Sequence, residues 1–280
     1  MVKTMRVINS RTHDIVGAII GDIVGSVYEF DNYRSKDFVL FKGYHGQECF
    51  ATDDSIMTLA VCEALMESKD DGSDLPEKTV ECMKRIGCPY PDCGYGGRFL
   101  QWMYSDNSKP YYSLGNGSAM RVSPVAYFAR SLAHAEELAE KTAAVTHNHP
   151  EGVKGAKVTA GLVYLALNHV SKSELRSYAE KSYDIDFTLD EIRPTYKFNE
   201  TCMQTVPQAI VAFLESNSFE DAIRNAISIG GDSDTIAAIT GGIAGAYYGV
   251  PGSLHDKAIT YLDEWLSAIL RKLESLHGEK

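Results

Sequence analysis

No stretch of this chain is rich in lysine and arginine, and that absence answers a first question. Its 280 residues carry 27 Lys+Arg against 38 Asp+Glu, a formal charge of −11 at pH 7. A nucleic-acid grip needs cations to neutralise phosphates, so a nucleic-acid partner is not expected. No apolar run reaches membrane-spanning length; the longest candidate, Ile236 to Val250, is short and dotted with glycine. The N-terminal residues Met1 to Ser10 lack the apolar core and small-residue cleavage pattern of a signal peptide, so a soluble, cytoplasmic chain is expected. Six cysteines are scattered, and Cys88 and Cys93 form the one close pair. Without a second pair or a histidine cluster they do not make a zinc site, and reduced thiols are expected. Gly-x-Ser-x-Gly and the Walker-type glycine loop are also missing, which removes two large classes of hydrolase.

Sustained period-two alternation is hard to find, whereas apolar spacing at three and four residues dominates. Helices are expected over 15–28, 56–68, 133–145, 153–170, 203–214, 219–227, 235–248 and 256–276. The last carries Ile259, Leu262, Trp265, Leu266, Ile269 and Leu273 on one face, an amphipathic closing helix. Val39-Leu40-Phe41 is a candidate short strand, and 171–199 reads as a polar excursion from the core. The class is all-α, with 1–280 as one domain and a monomer as the simplest state.

Two helices carry small-residue stripes: Gly17, Gly21 and Gly25 early, and Ala238, Gly242, Gly245 and Gly249 late. Each interior glycine costs about 1 kcal/mol relative to alanine, and close helix packing is the usual offset. If the two helices pack antiparallel, Glu29 lands beside the start of the late one.

What is present in excess is oxygen at two helix starts. Thr52-Asp53-Asp54-Ser55 and Asp232-Ser233-Asp234-Thr235 each open an apolar helical run. One side-chain acceptor suffices to cap a helix, so two carboxylates and a hydroxyl exceed that need. Carboxylate and hydroxyl oxygens are hard ligands suited to Mg²⁺, Mn²⁺ or Ca²⁺. Thr52, Asp53, Asp54, Asp232, Asp234 and Thr235 could share one or two such ions if the helix starts meet. Gly115-Asn116-Gly117-Ser118-Ala119-Met120-Arg121 has the makings of an anion cradle ahead of a helix start near Ser123-Pro124. Gly94-Tyr95-Gly96-Gly97-Arg98-Phe99 is either a tight turn or a place for a planar base or ribose. Thr146-His147-Asn148-His149-Pro150 is either a helix C-cap or a ligand site.

These pieces in this order resemble the ADP-ribosylglycohydrolase family. The matching elements are Gly17-Ala18-Ile19-Ile20-Gly21-Asp22-Ile23-Val24-Gly25 with Glu29, Thr52-Asp53-Asp54-Ser55, the segment Gly115 to Arg121, Thr146-His147, and Gly230-Gly231-Asp232-Ser233-Asp234-Thr235. They span residues 15 to about 250. The resemblance implies an orthogonal multi-helix bundle around a binuclear Mg²⁺ or Mn²⁺ centre, held by Thr52, Asp53, Asp54, Asp232, Asp234 and Thr235. It implies Glu29, with Asp54 and Asp234, as the catalytic group. It places phosphates of ADP-ribose on Gly115, Asn116, Gly117 and Ser118, and ribose and adenine near Met120, His147, Gly94, Tyr95 and Gly97. The implied reaction is hydrolysis of the glycosidic bond between ADP-ribose and a modified protein side chain, arginine or serine, or another conjugate. A metal-dependent nucleotide phosphohydrolase and a non-catalytic ADP-ribose binder remain as alternative readings.

Overall fold

A computed structural model describes Met5, Asn9 and residues 11–276. Among the described residues the chain forms fifteen α-helices. In order they are α1 Val16–Gly25, α2 Asp53–Glu67, α3 Leu75–Gly87, α4 Gly97–Tyr104, α5 Gly117–Met120, α6 Val125–Phe128, α7 Leu132–Ala143 and α8 Pro150–Leu167. There follow α9 Lys172–Ala179, α10 Leu189–Ile192, α11 Cys202–Leu214, α12 Phe219–Ile227, α13 Ser233–Tyr248, α14 Gly252–Ile259 and α15 Glu264–Ser275. No strand forms among them; only two isolated bridges occur, Tyr44 with Gln47 and Gly115 with Thr201. The all-α class therefore stands, and the expected strand at 39–41 is irregular chain ending in a turn.

The two central helices have almost no solvent face. Every residue of α1 is buried, as is α13 from Ser233 to Ala246, the pattern of a helix apolar all round. They run antiparallel in near contact, with Gly17 on Gly241, Gly21 on Ala237 and Gly25 on Asp234. A Cβ at Gly25 would stand 2.5 Å from Asp234 Cα, and one at Gly21 would overlap the Ala237 carbonyl. The antiparallel pairing is the expected one, and Gly245 of the expected stripe meets Gly17, but the tightest contacts are made by Ala237 and Gly241, while Gly242 lies nearer Ser123 than α1. Gly21→Ala should therefore lower the stability by on the order of 3 kcal/mol, because backbone on the facing helix cannot step aside as a side chain would. A denaturation midpoint within experimental error of wild type would contradict this contact.

Around this pair, α13 also packs on α12, α11 and α8, α7 lies on α8, and α2 is held by α3 and α15. The expected closing helix at 256–276 is two helices, because Asp263 interrupts it and accepts from Leu266 N at 2.9 Å to start α15. Trp265 is 40% exposed, stacked near Tyr90 rather than buried in the apolar face. The segment 171–199 holds two short helices, α9 and α10, each begun by a capping box, Ser171 with Glu174 and Thr188 with Glu191.

Candidate active site

The α1–α13 pairing places the end of the first helix against the start of the last central one. Beyond α1 the chain turns and presents Glu29, half-buried, whose carboxylate lies within 4.8 Å of those of Asp232 and Asp234. The start of α2 meets the same spot: Asp54 groups within 4.8 Å of Asp234 and Asp22, and Thr235 Oγ1 donates to Asp54 Oδ2 at 3.1 Å. The two acidic helix starts, 178 residues apart by the numbering of Asp54 and Asp232, thus share one site. Asp234 belongs to both groups.

Capping does not account for these carboxylates. At α2 the cap is Thr52, whose hydroxyl accepts from Asp54 N at 3.2 Å. At α13 no side chain caps the helix. Gly230 and Gly231, both at positive φ (69° and 75°), turn the chain into Asp232 in a conformation other residues rarely adopt. Asp232 then accepts from Asn116 Nδ2 at 2.6 Å instead of from its own helix. Asp54 Oδ1 is buried without a hydrogen-bond partner, and among the described residues no basic side chain forms an ion pair with Glu29, Asp54, Asp232 or Asp234.

Such crowding raises proton affinity. Burial, then the neighbouring Asp232, Asp53 and Asp22 charges, push Glu29 up to about 8. Burial followed by Asp22 and Asp232 takes Asp53 to about 8. Burial also holds Asp54 and Asp234 well above the ordinary carboxylate range, with like charges adding to it. Hard divalent cations fit this donor set: they supply the charge that the fold withholds and a partner for the orphaned oxygen. The folded carboxyls bind protons more tightly than the unfolded ones, whose ordinary values are 3.8 and 4.5. The contribution of these carboxyls to the stability of the cation-free protein therefore falls as pH rises from about 4 to about 8, through the folded values. In EDTA the melting temperature should be higher at pH 5 than at pH 8, and saturating Mg²⁺ should flatten the slope. A slope of the opposite sign in EDTA would contradict the cluster.

Asp22 is a member of this cluster that the motif contains but that sequence reasoning did not assign a role. It is fully buried and sits one turn before the end of α1. Its Oδ2 accepts from Thr52 N (3.0 Å), Ser55 N (3.1 Å) and Ser55 Oγ, and its Oδ1 from Thr52 Oγ1 (2.6 Å). Those four donors use the acceptor capacity of a carboxylate. Asp22 therefore positions the start of α2 rather than offering free oxygens, and its pKa, raised by burial to about 6, is held down by those same hydrogen bonds. The Thr52 hydroxyl, donating to Asp22 and accepting from Asp54 N, is locked in orientation. Asp22→Asn would face donors with a donor, so it should cost on the order of 3 kcal/mol of stability and weaken Mn²⁺ binding, both readable by calorimetry. Unchanged values would remove the positioning role.

The carboxylates floor a cavity of about 400 Å³. Glu29, Asp53, Asp54, Asp232, Asp234 and Thr235 line it. Gly94, Gly97, Gly115, Asn116, Gly117, Met120 and His147 line it as well. Three expected site residues do not reach it. Tyr95 is buried against Phe99 with its hydroxyl toward Gly87 O; Ser118 Oγ donates to Gly152 O at 2.7 Å; Thr52 is turned to Asp22. The expected flexible turn at 115–121 is largely helical, since α5 begins at Gly117, which leaves the Gly117 and Ser118 N–H groups as first-turn donors.

Arg98 and Arg121, quoted in the motifs but given no role there, also line the cavity. Arg121 is buried, sits 5.6 Å over the Phe99 ring, and donates from Nη2 to Thr146 Oγ1 at 2.7 Å. Burial lowers its pKa to about 10. Thr146 Oγ1 lies 2.7 Å from His147 Nδ1. Burial and the two arginines hold His147 well below its ordinary pKa, so it faces Gly115 and Gly117 as a neutral imidazole.

The fold and site define an all-α protein with a buried carboxylate cluster at the floor of a cavity that Arg98 and Arg121 also line. The chain belongs to the ADP-ribosylglycohydrolase family, whose model matches residues 12–279. It is 29% identical to ADP-ribosylhydrolase ARH3 of Mus musculus, over 84% of this chain and 83% of that protein. It is 28% identical to ADP-ribosylarginine hydrolase Tri1 of Pseudomonas putida (strain GB-1), over 85% of this chain and 70% of that protein. Among solved structures, an ADP-ribosylglycohydrolase-related protein complex shares the fold at a TM-score of 0.70 and 24% identity, covering 96% of this chain and 98% of that one. No helix among the described residues is long and apolar enough to cross a membrane.

Proposed function

We propose that the chain hydrolyses the glycosidic bond at the anomeric carbon of ADP-ribose conjugates, with an ADP-ribosylated protein as the substrate class. The observation that carries this reading is the polarity of the cavity. Its lining combines carboxylates that form no ion pair, Glu29, Asp54, Asp232 and Asp234, with Arg98, Arg121, neutral His147 and the first-turn donors of α5. The diphosphate of ADP-ribose suits the second set, which leaves the distal ribose and the scissile bond to the first. Asp53, Asp54, Asp232, Asp234 and Thr235 would hold two divalent cations, Mg²⁺ or Mn²⁺, while Thr52, expected among the ligands, is tied to Asp22 instead. Bound there, such ions supply polarisation of ribose hydroxyls and of water and lower the water's pKa.

The protein's own groups do the rest. Asp22 fixes the start of α2, and Asn116 fixes Asp232. Glu29, at the edge of the cluster, has the reach to exchange a proton with water or the leaving group. The carboxylates stabilise the positive charge that develops at the anomeric carbon. The product separates the two catalytic readings: mass spectrometry should find intact ADP-ribose, whereas AMP would make the chain a phosphohydrolase.

A further inference from the structure

We propose that Phe30 and Phe198 form an acceptor subsite that receives a planar cationic leaving group, the guanidinium of an ADP-ribosylated arginine. This rests on the hydrolase reading above and adds the side of the bond that reading leaves open. Phe30 follows Glu29 directly yet is 78% exposed, and Phe198 is 37% exposed. Their rings stack at 5.5 Å with an interplanar angle of 29°, although 168 residues separate them in the chain. Exposed stacked phenylalanines at the rim of a cavity lose nothing by burial under a ligand and gain apolar contact area.

The charge distribution says which ligand. Phe198 and Glu200 line the cavity on the Glu29 side, and Glu200 is close enough to raise the proton affinity of Glu29. Every basic group of the cavity named above lies with the other aromatic surface: Arg98 is 4.8 Å from the Tyr111 ring, and Tyr111 is 6.2 Å from His147. Among the described residues, neither Phe30 nor Phe198 has a lysine or arginine over its ring. One end of the cavity thus combines cations with tyrosines and suits an anion attached to a base. The other combines Glu29 and Glu200, which are not among the cation ligands, with uncovered phenylalanine faces, and this attracts a flat, weakly hydrated cation. A serine hydroxyl offers neither charge nor plane to these rings.

The test uses synthetic peptides carrying ADP-ribose on arginine or on serine, with the full chain in Mg²⁺, as wild type and as Phe30→Ala, Phe198→Ala and Phe30→Tyr. Circular dichroism and melting establish that the variants fold. The arginine-to-serine ratio of kcat/KM should fall about tenfold in each alanine variant, the size of a desolvated cation–π contact, and recover in Phe30→Tyr. By calorimetry, wild type should bind the arginine-linked conjugate more tightly than free ADP-ribose, and the alanine variants should lose that difference. An unchanged ratio, or equal loss on both linkages, overturns the subsite. So does a wild type that binds the arginine conjugate no better than ADP-ribose, whatever its turnover. A wild type that binds the conjugates and cleaves neither instead overturns the hydrolase reading.

Discussion

Asp234→Asn should reduce kcat/KM by a factor on the order of 1,000 or more, the scale of losing a group that shapes the charge of the whole site. Its carboxylate is the one shared by both acidic groups, with Asp22 and Asp54 on one side and Glu29 and Asp232 on the other. Asp232 is tied to Asn116 and Asp22 to Thr52 and Ser55, so neither is free to take its place. The same change should have the opposite sign on the cation-free fold. Asp234 is buried with its pKa held well above the ordinary range by burial and then by Asp232, Asp54 and Glu29, so its ionised form strains the cluster at pH 7. Removing that charge should leave the melting temperature in EDTA equal to or above wild type, while the rise produced by Mg²⁺ disappears. Loss of activity with an intact Mg²⁺ shift would show that Asp234 is not a ligand.

Glu29→Gln should separate binding from turnover. The half-buried Glu29 carboxylate flanks the shared cluster, and the basic groups proposed to hold the diphosphate lie across the cavity. Affinity for ADP-ribose should therefore stay within about threefold of wild type, while kcat falls by roughly 100- to 10,000-fold, the range for removing a proton-transfer group. An unchanged kcat would take Glu29 out of the mechanism. Equal losses in affinity and kcat would make it a ligand of substrate or cation instead.

The residues that sequence reading located best are those whose chemistry conflicts with their local setting. Glycines repeating every four residues in an apolar helix point to a partner at backbone distance, and α1 against α13 supplies it. That Ala237 and Gly241 make the tightest contacts was hidden, because they are as small as Ala238 and Gly242. Surplus carboxylates at two helix starts likewise pointed to a shared site. Asp22 went unassigned because one aspartate among Ile, Val and Gly reads as a polar interruption until Thr52 and Ser55 are brought beside it. The helix α3 was missed because its buried face includes Thr79 and Cys82 beside Leu75, Met83 and Ile86, which dilutes the apolar period. Tyr95 and Phe30 show the limit most clearly. Both are aromatics beside a functional segment, yet one turns into the core and the other out to the rim, a choice made by tertiary packing alone.

The central claim is that the buried carboxylates hold divalent cations for cleavage of an ADP-ribose bond. Its most direct test is ADP-ribose release from an ADP-ribosylated protein by chain stripped with EDTA, then titrated with Mg²⁺ or Mn²⁺. Stripped protein should release none, and intact ADP-ribose should reappear with a dependence that saturates in the added ion. Full release in EDTA would contradict it.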